Sequence, residues 1–555
     1  MTNEQFLQQF GHFIDAPNGI QKLREMVLTL AVQGKLVPHE PDDAPASELL
    51  KQIDSARNEL VKAKVIKKGK SRTRLDGSDK YFPEPTGWEW VHLEDISQYI
   101  QRGKGPKYAE ESEIPVVSQK CVQWSGFDIS RARFLEPSAL EKYQEERFLQ
   151  DGDLLWNSTG TGTIGRVNIF PKGNVPYDKV VADSHVTVVR LLLMNPRFVW
   201  VWLASPYIQA TIEGDASGST NQVELSTSKV KWQPTPVPPL AEQHRIVAKV
   251  DELMALCDQL EAERNSREAT HQRLIRAVHH PLTEAADTKA TQTAWHRIRD
   301  NFADLYTTLE SVQALRQTIL QLAVHGKLVP QNPNDQPASI LHSRIRETLE
   351  RHSKETGSRK QRLLPPISKH EIPYELPLGW QWVRLGSVGE TNIGLTYSPK
   401  DVGDTGIPVL RSSNIRDGKI VFDDLVRVNL DVKEKVLANN GDLLICARNG
   451  SRRLVGKAAI IDGLDETAAF GAFMAIFRSQ LNPYIYYFIN SPLFRNVIDD
   501  VETTTINQIT QANLRNTLLP LPPLAEQRRI VAKVDELMTL CDQLETNIRD
   551  KTVTA

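Results

Sequence analysis

The sequence predicts an α+β protein in which long helices, forming an antiparallel coiled coil, separate two mixed α/β domains in a pseudo-two-fold internal repeat. Two observations support this prediction. Near-identical segments occur twice along the 555 residues, and each pair of copies encloses a stretch that differs between them. The copies have helical periodicity, whereas the enclosed stretches alternate short apolar runs with turn residues.

The repeat begins near the N-terminus, where Leu23–Ser47 matches Leu315–Ser339 at 16 of 25 positions. The same offset of 292 residues carries the motif GWEWVHL onto GWQWVRL. Farther along, Pro238–Glu261 and Pro522–Glu545 agree at 22 of 24 positions. A solenoid would repeat its core throughout at a short period. Matched ends around unlike middles instead indicate one helical frame that carries two different domains.

The second pair of copies predicts long helices, because apolar residues recur there with the 4-3-4-3 spacing of a coiled-coil seam. The first seam is Ile246, Val250, Leu253, Cys257 and Leu260, and the second seam is Ile530, Val534, Leu537, Cys541 and Leu544. We expect the two seams to pair with each other, with each cysteine as a small apolar residue of its seam. The first long helix is expected to run from Leu240 to Pro281, which should end it.

A shorter helix is predicted before each enclosed stretch. Ser47 and Ser339 are the expected N-caps of the helices that follow it. The enclosed stretches contain short strand-like runs such as DLLW and DLLICA between turn residues. The predicted domains are a helical region 1–80, a first head 81–237, a central helical spacer 238–370, a second head 371–521 and a C-terminal helix 522–555.

The composition is that of a globular chain, with 40% hydrophobic and 25% charged residues and a net charge of −2. Four separated cysteines predict neither a zinc site nor a disulfide framework. No membrane span or export signal is visible, so a cytoplasmic location is expected. Two basic runs, at 62–74 and 351–369, occupy matching places before the two heads.

Catalytic and cofactor motifs fail when they are tested in detail. The run GTGTIG, from Gly160 to Gly165, fits GxGxxG, but no helix-forming sequence follows it, so a Gly-rich hairpin loop is predicted instead. Around Lys457 the glycine spacing is wrong for a phosphate loop, and there is no HExxH pair. The sequence therefore predicts no catalytic, cofactor or metal site.

Two polar loops in each head carry side chains suited to DNA. Arginine pairs with guanine and asparagine or glutamine with adenine, whereas serine, threonine and lysine also hold phosphates. The first-head candidates are Ser118, Gln119, Lys120, Asn157, Ser158, Thr159, Thr161, Thr163 and Arg166. The second-head candidates are Arg411, Ser412, Ser413, Asn414, Arg416, Arg448, Asn449, Arg452, Arg453 and Lys457. Because both loops differ between the heads, the heads are predicted to contact different bases.

The PPLAEQ(H/R)RIVAKVDELM helix after each head, the GW.W motif and the GDLL strand resemble the specificity subunits of type I restriction–modification enzymes. The resemblance covers essentially the whole chain. It implies a non-catalytic subunit whose two target-recognition domains each read one half of a bipartite, asymmetric DNA site. The implied partners are double-stranded DNA, two methyltransferase subunits that methylate adenine, and restriction subunits. S-adenosylmethionine, ATP and Mg²⁺ would be bound by those partners and not by this chain.

Two other classes of function stay open at the level of sequence. One is a nuclease or methyltransferase without a familiar motif, which the purified chain would reveal by cleavage or methyl transfer. The other is a coiled-coil scaffold that binds only protein. Salt-dependent DNA binding would distinguish the scaffold from a DNA-recognition subunit.

Overall fold

A computed structural model describes residues 16, 18–66, 75–77, 79–160, 162–215, 224–285, 288–355, 364–499 and 507–554. Most of the first basic run, and residues 356–363 of the second, lie outside these ranges. The chain divides into two compact units, Met1–Arg267 and Glu268–Ala555. The division falls within the stretch predicted as the central helical spacer.

The first unit holds the first head and the helices around it. Its helices are α1 (Gly19–Val32), α2 (Ala46–Lys62), α3 (Pro196–Ala204), α4 (Pro206–Asp215), α5 (Thr227–Lys231) and the first part of α6 (Leu240–Glu284). Its strands are β1 (Glu89–His92), β2 (Ser97–Arg102), β3 (Tyr108–Ala109), β4 (Pro115–Val117), β5 (Val122–Gln123), β6 (Gly126–Phe127), β7 (Arg133–Leu135), β8 (Leu154–Asn157), β9 (Val167–Ile169), β10 (Val181–Ala182), β11 (Val186–Leu191) and β12 (Pro234–Val237).

The second unit repeats this plan with a different head. Its helices after α6 are α7 (Thr288–Asp300), α8 (Phe302–Leu305), α9 (Leu309–Val324), α10 (Ala338–Glu355), α11 (Asn482–Ile489), α12 (Pro492–Asp499), α13 (Gln511–Asn516) and α14 (Leu524–Thr554). Its strands are β13 (Gln381–Arg384), β14 (Glu390–Ile393), β15 (Val402–Gly403), β16 (Ile407–Leu410), β17 (Ile415–Arg416), β18 (Lys419–Ile420), β19 (Val426–Val428), β20 (Leu437–Ala438), β21 (Leu443–Cys446), β22 (Ala458–Ile460), β23 (Ala468–Phe470), β24 (Met474–Arg478) and β25 (Leu518–Leu521).

The heads are mixed α/β, as predicted, and each contains two principal sheets. A four-stranded antiparallel sheet has the order β2-β11-β8-β9 in the first head and β14-β24-β21-β22 in the second. A second sheet has the order β10-β4-β7-β3 in the first head and β15-β19-β16-β23-β20 in the second. All four residues of β8 and of β21 are buried. This explains why both strands read as continuous apolar runs in the sequence.

The repeated motifs at the two ends of each head contact each other. The GW.W strand β1 pairs with β12, and β13 pairs with β25, so each head is closed by its own first and last strands. Trp88 Nε1 donates to Glu242 Oε2 at 3.1 Å, and Trp380 Nε1 donates to Glu526 Oε2 at 3.0 Å. Burial raises the pKa of both carboxyl groups above the usual glutamate value. The GW.W and PPLAEQ motifs therefore recur together because they form one contact.

The first seam is buried against the short helix of its own unit. It shares one core cluster with the apolar face of α1. Arg24 of α1 reaches across this pair of helices to Asp258 and Glu261, each at 2.7 Å. The expectation that this seam pairs with the second seam is therefore wrong. Heptad spacing identifies the face that needs an apolar partner, but it does not say which helix supplies that partner.

The second seam has the same arrangement in the second unit, where it packs with the apolar face of α9. Arg316 of α9 donates to Asp542 at 2.5 Å and to Glu545 at 3.0 Å. Cys257 and Cys541 are free and buried in their respective seams, as predicted. The end of α6 adds Ile275 and Leu282 to the core cluster of the second unit.

A buried histidine distinguishes the helical part of the second unit. His279 of α6 is hydrogen-bonded to Tyr306 Oη at 2.7 Å and to Thr318 Oγ1 at 2.9 Å. Burial lowers the pKa of this imidazole to about 4. In the first unit, the repeat offset of 292 places Met26 where Thr318 stands. This polar cluster therefore belongs to the second unit alone.

Three predicted helix boundaries are wrong by a few residues. Pro281 lies inside α6, three residues before its end at Glu284, where a proline costs little because the helix is about to end. Ser47 is not an N-cap, because α2 already begins at Ala46. The amide of Ala46 donates to the carbonyl of Gly87 at 2.9 Å, and Ala338 donates equivalently to Gly379 at 2.8 Å, so Ser339 is not the cap either. Among the helices the structure describes, none is long and apolar enough to cross a membrane.

Candidate nucleic-acid interface

The loops that carry the predicted residues lie at one end of the four-stranded sheet in each head. In the first head, Asn157 at the end of β8 pairs with Val186 at the start of β11. In the second head, Cys446 at the end of β21 pairs with Met474 at the start of β24. The loop after β8 or β21 and the segment before β11 or β24 are therefore neighbours in space.

Three segments meet at this end of each sheet. Two of them contain the predicted residues, and the third was not identified from the sequence. With the first-head residues given before the second-head residues, they are loop A (118–123 and 411–416), loop B (157–166 and 446–457) and loop C (183–185 and 471–473).

Main-chain hydrogen bonds hold loop C of the first head between loops A and B. The amide of Asp183 donates to the carbonyl of Val117, immediately before loop A, at 2.9 Å. The amide of Ser158 in loop B donates to the carbonyl of His185 at 2.9 Å. Leu225, in turn, donates to the carbonyl of Ser158 at 2.8 Å. The three loops therefore form one continuous surface.

The second head repeats these bonds with other residues. The amide of Gly471 donates to Leu410 at 3.0 Å, and the amide of Ala447 donates to Phe473 at 2.9 Å. Ile509 donates to the carbonyl of Ala447 at 2.8 Å. The main-chain framework of the three loops is thus the same in both heads although their sequences differ.

The shared bonds and bridges align the two surfaces position by position. Thr159 forms an isolated antiparallel β-bridge with Glu224, and Arg448 forms the equivalent bridge with Gln508. The carbonyls of Arg166 and Lys457 each accept, at 2.8 Å, the amide of the last residue of β8 or β21. The aligned pairs are Gln123 with Arg416, Thr159 with Arg448, Arg166 with Lys457, His185 with Phe473 and Glu224 with Gln508. The side chain differs at each of these positions, which we call the aligned positions.

Three predicted residues hold the loops together from inside the protein. Asn157 is fully buried, and its Nδ2 donates to the carbonyls of Gln119 at 3.1 Å and Val122 at 3.3 Å. Ser158 is also buried, with its hydroxyl 2.5 Å from that of Thr187. In the second head the amide group of the buried Asn414 holds loop A to the segment that follows it.

Asn414 Nδ2 donates to Val421 at 3.2 Å and to Asp424 at 3.1 Å, and its Oδ1 accepts from the amide of Arg411 at 2.9 Å. Asn157, Ser158 and Asn414 are therefore corrected from DNA contacts to residues that support the loops. The sequence could not distinguish the two roles, because buried and exposed polar side chains are alike in a loop sequence.

The other first-head candidates reach the surface. Lys120 is exposed, and the hydroxyl of Ser118 accepts its amide at 3.3 Å. Thr163 and Gln119 join loops B and A through their side chains at 3.3 Å. Arg166 is half-buried and donates to the carbonyl of Gly162 at 2.6 Å. Thr161 lies outside the described residues.

Three of the arginines predicted to contact DNA in the second head are already paired with acids. Arg452 donates to the carbonyl of Asp499 at 2.6 Å, and its Nε lies 3.5 Å from that carboxylate. Arg416 lies 2.9 Å from the carboxylate of Asp423. Arg411 lies 3.6 Å from the carboxylate of Asp424. Loop B has no acid in its own sequence, but the fold supplies one from α12.

Three cations of loop B differ from these arginines. In the part of the chain that the structure describes, Arg448, Arg453 and Lys457 make no ion pair. Arg453 is exposed, and the other two are half-buried. Asn449 is partly used within the loop, since its Oδ1 accepts the amide of Ser451 at 3.0 Å. Ser412 and Ser413 form a single turn at the start of loop A.

Loop C is the part of the surface that the sequence did not reveal. His185 Nδ1 lies 2.6 Å from Thr159 Oγ1 in the first head. At the same position in the second head, Phe473 has 57% of its surface exposed, and the guanidinium of Arg448 lies over its ring at 5.1 Å. An aromatic residue just before a buried strand looks like core in the sequence. Gly471, a turn residue two positions before Phe473, was the only available signal.

The Gly-rich run of the first head is a hairpin loop, as predicted. It joins β8 to β9, which pair antiparallel, and no helix follows. Gly160, Gly162 and Gly165 adopt positive φ angles of 96°, 80° and 86°, a conformation that favours glycine. Within the described ranges, no group of three or more His, Cys, Asp or Glu residues could hold a metal ion.

Comparison with known proteins defines the class to which this chain belongs. The family model described as "Type I restriction modification DNA specificity domain" matches it twice, at residues 85–267 and 377–552. The type I restriction enzyme EcoAI specificity subunit of Escherichia coli is 34% identical over 547 residues, covering 96% of this chain and 91% of that protein. The EcoEI specificity subunit of the same organism is 32% identical over 557 residues, with the same coverage.

A solved HsdS subunit from Thermoanaerobacter tengcongensis aligns with 86% of this chain and 97% of its own, at 19% identity and a TM-score of 0.35. The matched family domains coincide with the two heads and the long helices after them. The chain is therefore a DNA-recognition subunit with two specificity domains. It belongs to the specificity subunits of type I restriction enzymes, which select the target and are not themselves catalytic.

Proposed function

We propose that each head reads one half of a bipartite, asymmetric DNA site through the surface formed by its loops A, B and C. The observation that carries this proposal is the shared main-chain framework with different side chains at the aligned positions. A constant framework with variable side chains is what two readers of different sequences require. Because protein side chains contact base edges and the main chain sets their position, different side chains select different bases.

Within this surface, the proposed DNA contacts are cations and neutral hydrogen-bonding groups. In the second head, the available cations are Arg448, Arg453 and Lys457. The ion pairs of Arg411, Arg416 and Arg452 with acidic residues would first have to break. Lys120 and Arg166 are the cations offered by loops A and B in the first head. Gln119, Thr159, Thr163, Ser412, Ser413 and Asn449 add neutral hydrogen-bonding groups.

The test is an exchange of one head in the complete system. Residues 94–235 are replaced by the corresponding stretch of a related specificity subunit, and the methylated sites of a host carrying the system are sequenced. The expected result is a new sequence in one half-site, while the other half-site is unchanged. A change in both half-sites would refute two independent heads.

We also propose the assembly that the family resemblance implies. Two methyltransferase subunits would bind the two near-identical helical segments, with restriction subunits joining them, in the cytoplasm. S-adenosylmethionine, ATP and Mg²⁺ would then be bound by those partners. The support is that 22 of 24 residues match in these segments, including Leu240 and Leu524, which are exposed at equivalent positions.

Core packing alone does not require exposed residues to match, whereas one partner surface used twice does. The same reasoning supports a pseudo-two-fold arrangement with antiparallel long helices. Co-purification of two methyltransferase subunits per chain, reduced to one by a charge at Leu524 alone, would test the assembly.

A further inference from the structure

An exposed aromatic side chain stands in the middle of the second head's loop surface. Phe473 is the last residue of loop C, and its carbonyl accepts the amides of Ala447 at 2.9 Å and Arg448 at 3.0 Å. Met474 donates back to Gly471 at 2.8 Å, which closes the turn. The position of the ring is therefore fixed by the main chain. Leaving a phenyl ring 57% exposed forfeits burial that the fold could otherwise use.

The ring is presented together with a cation. The guanidinium of Arg448 lies over the ring of Phe473 at 5.1 Å from its centre. A phenyl ring that is to wedge between two bases needs both faces free for stacking. Because the guanidinium covers one face, this ring offers its edge and its other face. That arrangement favours an apolar contact in a groove over insertion into the base stack.

We propose that Phe473 and Arg448 together read a thymine and a neighbouring guanine in the half-site of the second head, an inference that rests on the proposed function of the loop surface. In the major groove, thymine is marked by its 5-methyl group, which apolar side chains contact, and guanine by two acceptors that arginine binds. The guanidinium carbon lies 5.1 Å from the centre of the ring, so the two groups are close enough to reach adjacent bases.

The first head provides the contrast. At the same two aligned positions it has Thr159 and His185, whose side chains lie 2.6 Å apart. Both are polar, and the only apolar group they offer is the small methyl of Thr159. The two heads thus use the same pair of positions as a coupled pair with different chemistry. The larger apolar surface of Phe473 is why a thymine methyl is assigned to the second half-site at this position.

The experiment removes the methyl group from the DNA and the ring from the protein. The assembled complex is given duplexes of its own target, as found by methylome sequencing, in which each thymine of the second half-site is replaced in turn by uracil. One replacement should weaken binding by the wild-type complex about fourfold, the effect of one buried methyl group. The Phe473→Ala complex should bind the thymine and uracil duplexes equally, and Phe473→Leu should retain part of the difference.

Controls separate this inference from the proposed function. Uracil in the first half-site should have the same effect on the wild-type and Phe473→Ala complexes. Trp124→Ala, which removes an exposed aromatic residue of the first head, should leave the second-half discrimination intact. A second half-site without thymine, or discrimination that survives in Phe473→Ala, overturns the inference. Loss of salt-dependent DNA binding on replacing Arg448, Arg453 and Lys457 supports the loop surface whichever way the uracil test falls, and full retention of binding would refute it.

Discussion

The two heads have the same loop framework but differ in how their charges are arranged. In the first head, the side chains of Arg166 and Thr163 make hydrogen bonds within the loops, and the surface offers mainly neutral groups. In the second head, Arg448, Arg453 and Lys457 are available for a ligand. The comparison indicates that the frame is conserved because it positions the loops. The difference at the aligned positions is what the proposed function, contact with different target bases, requires of them.

The comparison extends to one ion pair in the interior of each head. Arg190 holds Asp153 through two bonds of 2.8 and 2.7 Å, and Arg478 holds Asp442 through two bonds of the same lengths. Arg190 is nearly buried, whereas the side chain of Arg478 is 38% exposed. The same interaction therefore lies in different surroundings in the two heads.

The largest predicted difference follows from this pair. Arg190→Met leaves a buried carboxylate without its partner and should destabilise the first head by about 4 kcal/mol. Arg478→Met should cost about 2 kcal/mol or less, because water can reach that site. Hydrogen exchange of the full chain, resolved for individual peptides of each head, measures both effects in one experiment. Equal losses in the two heads would show that exposure does not govern this interaction.

The seams supply the next comparison. Leu253 of the first seam is fully buried, whereas Leu537 at the equivalent position of the second seam is only half-buried. Leu253→Ala should cost about 3 kcal/mol, and Leu537→Ala about 1 kcal/mol. Chemical denaturation of the two variants gives the difference. A larger loss at Leu537 would show that another surface covers this residue in solution.

A difference in pH dependence should separate the two units. Since the pKa of His279 is lowered to about 4, the unfolded chain binds more protons between pH 6.5 and 4, and stability is lost as the pH falls through that window. At pH 5 the contribution of His279 to this loss should be about 2 kcal/mol relative to pH 8. Hydrogen exchange in α9 compared with α1 reports this difference. Glu242 and Glu526 have raised pKa values in both units, so their effect largely cancels.

The control for this prediction is His279→Gln, which removes the titrating group while keeping a hydrogen-bonding side chain. In this variant the difference in pH dependence between α9 and α1 should shrink by the contribution of His279. The difference that stays is expected from His325 and His342, because burial lowers the pKa of both imidazoles in the same unit. An undiminished difference would show that His279 does not contribute to it.

The smallest predicted effect compares cations within loop B of the second head. Arg453→Ala and Lys457→Ala should each reduce the slope of log K against log salt concentration by about one, if each contacts a phosphate. Arg452→Ala should change it less, because Asp499 already offsets that charge. Binding of the assembled complex to its target at several salt concentrations measures the slopes. If Arg452→Ala reduces the slope as much as the other two variants do, the ion pair between Arg452 and Asp499 breaks when DNA binds.

Matching segments predicted the repeat, and periodicity predicted the helices, because periodicity depends on which positions are buried and not on what buries them. For that reason the same pattern failed to identify α1 and α9 as the partners of the seams. Loops A and B were found because polar residues cluster there in the sequence. Loop C was missed because His185 and Phe473 precede a strand without any local pattern. The acid that pairs with Arg452 comes from 47 residues away, which no local reading of loop B could supply.

The bonds that both heads share between loops A, B and C are made by amide and carbonyl groups of the main chain, so replacing a side chain at an aligned position removes none of these shared bonds. A side-chain bond such as that between Thr159 and His185 is lost, but the main-chain framework stays. Recognition and folding are thereby largely uncoupled at those positions. A lineage can accumulate changes there without passing through unfolded intermediates, and new target sequences become reachable by single substitutions. A library randomised at Thr159 and His185, or at Arg448 and Phe473, should accordingly consist largely of folded proteins that differ in the DNA they select.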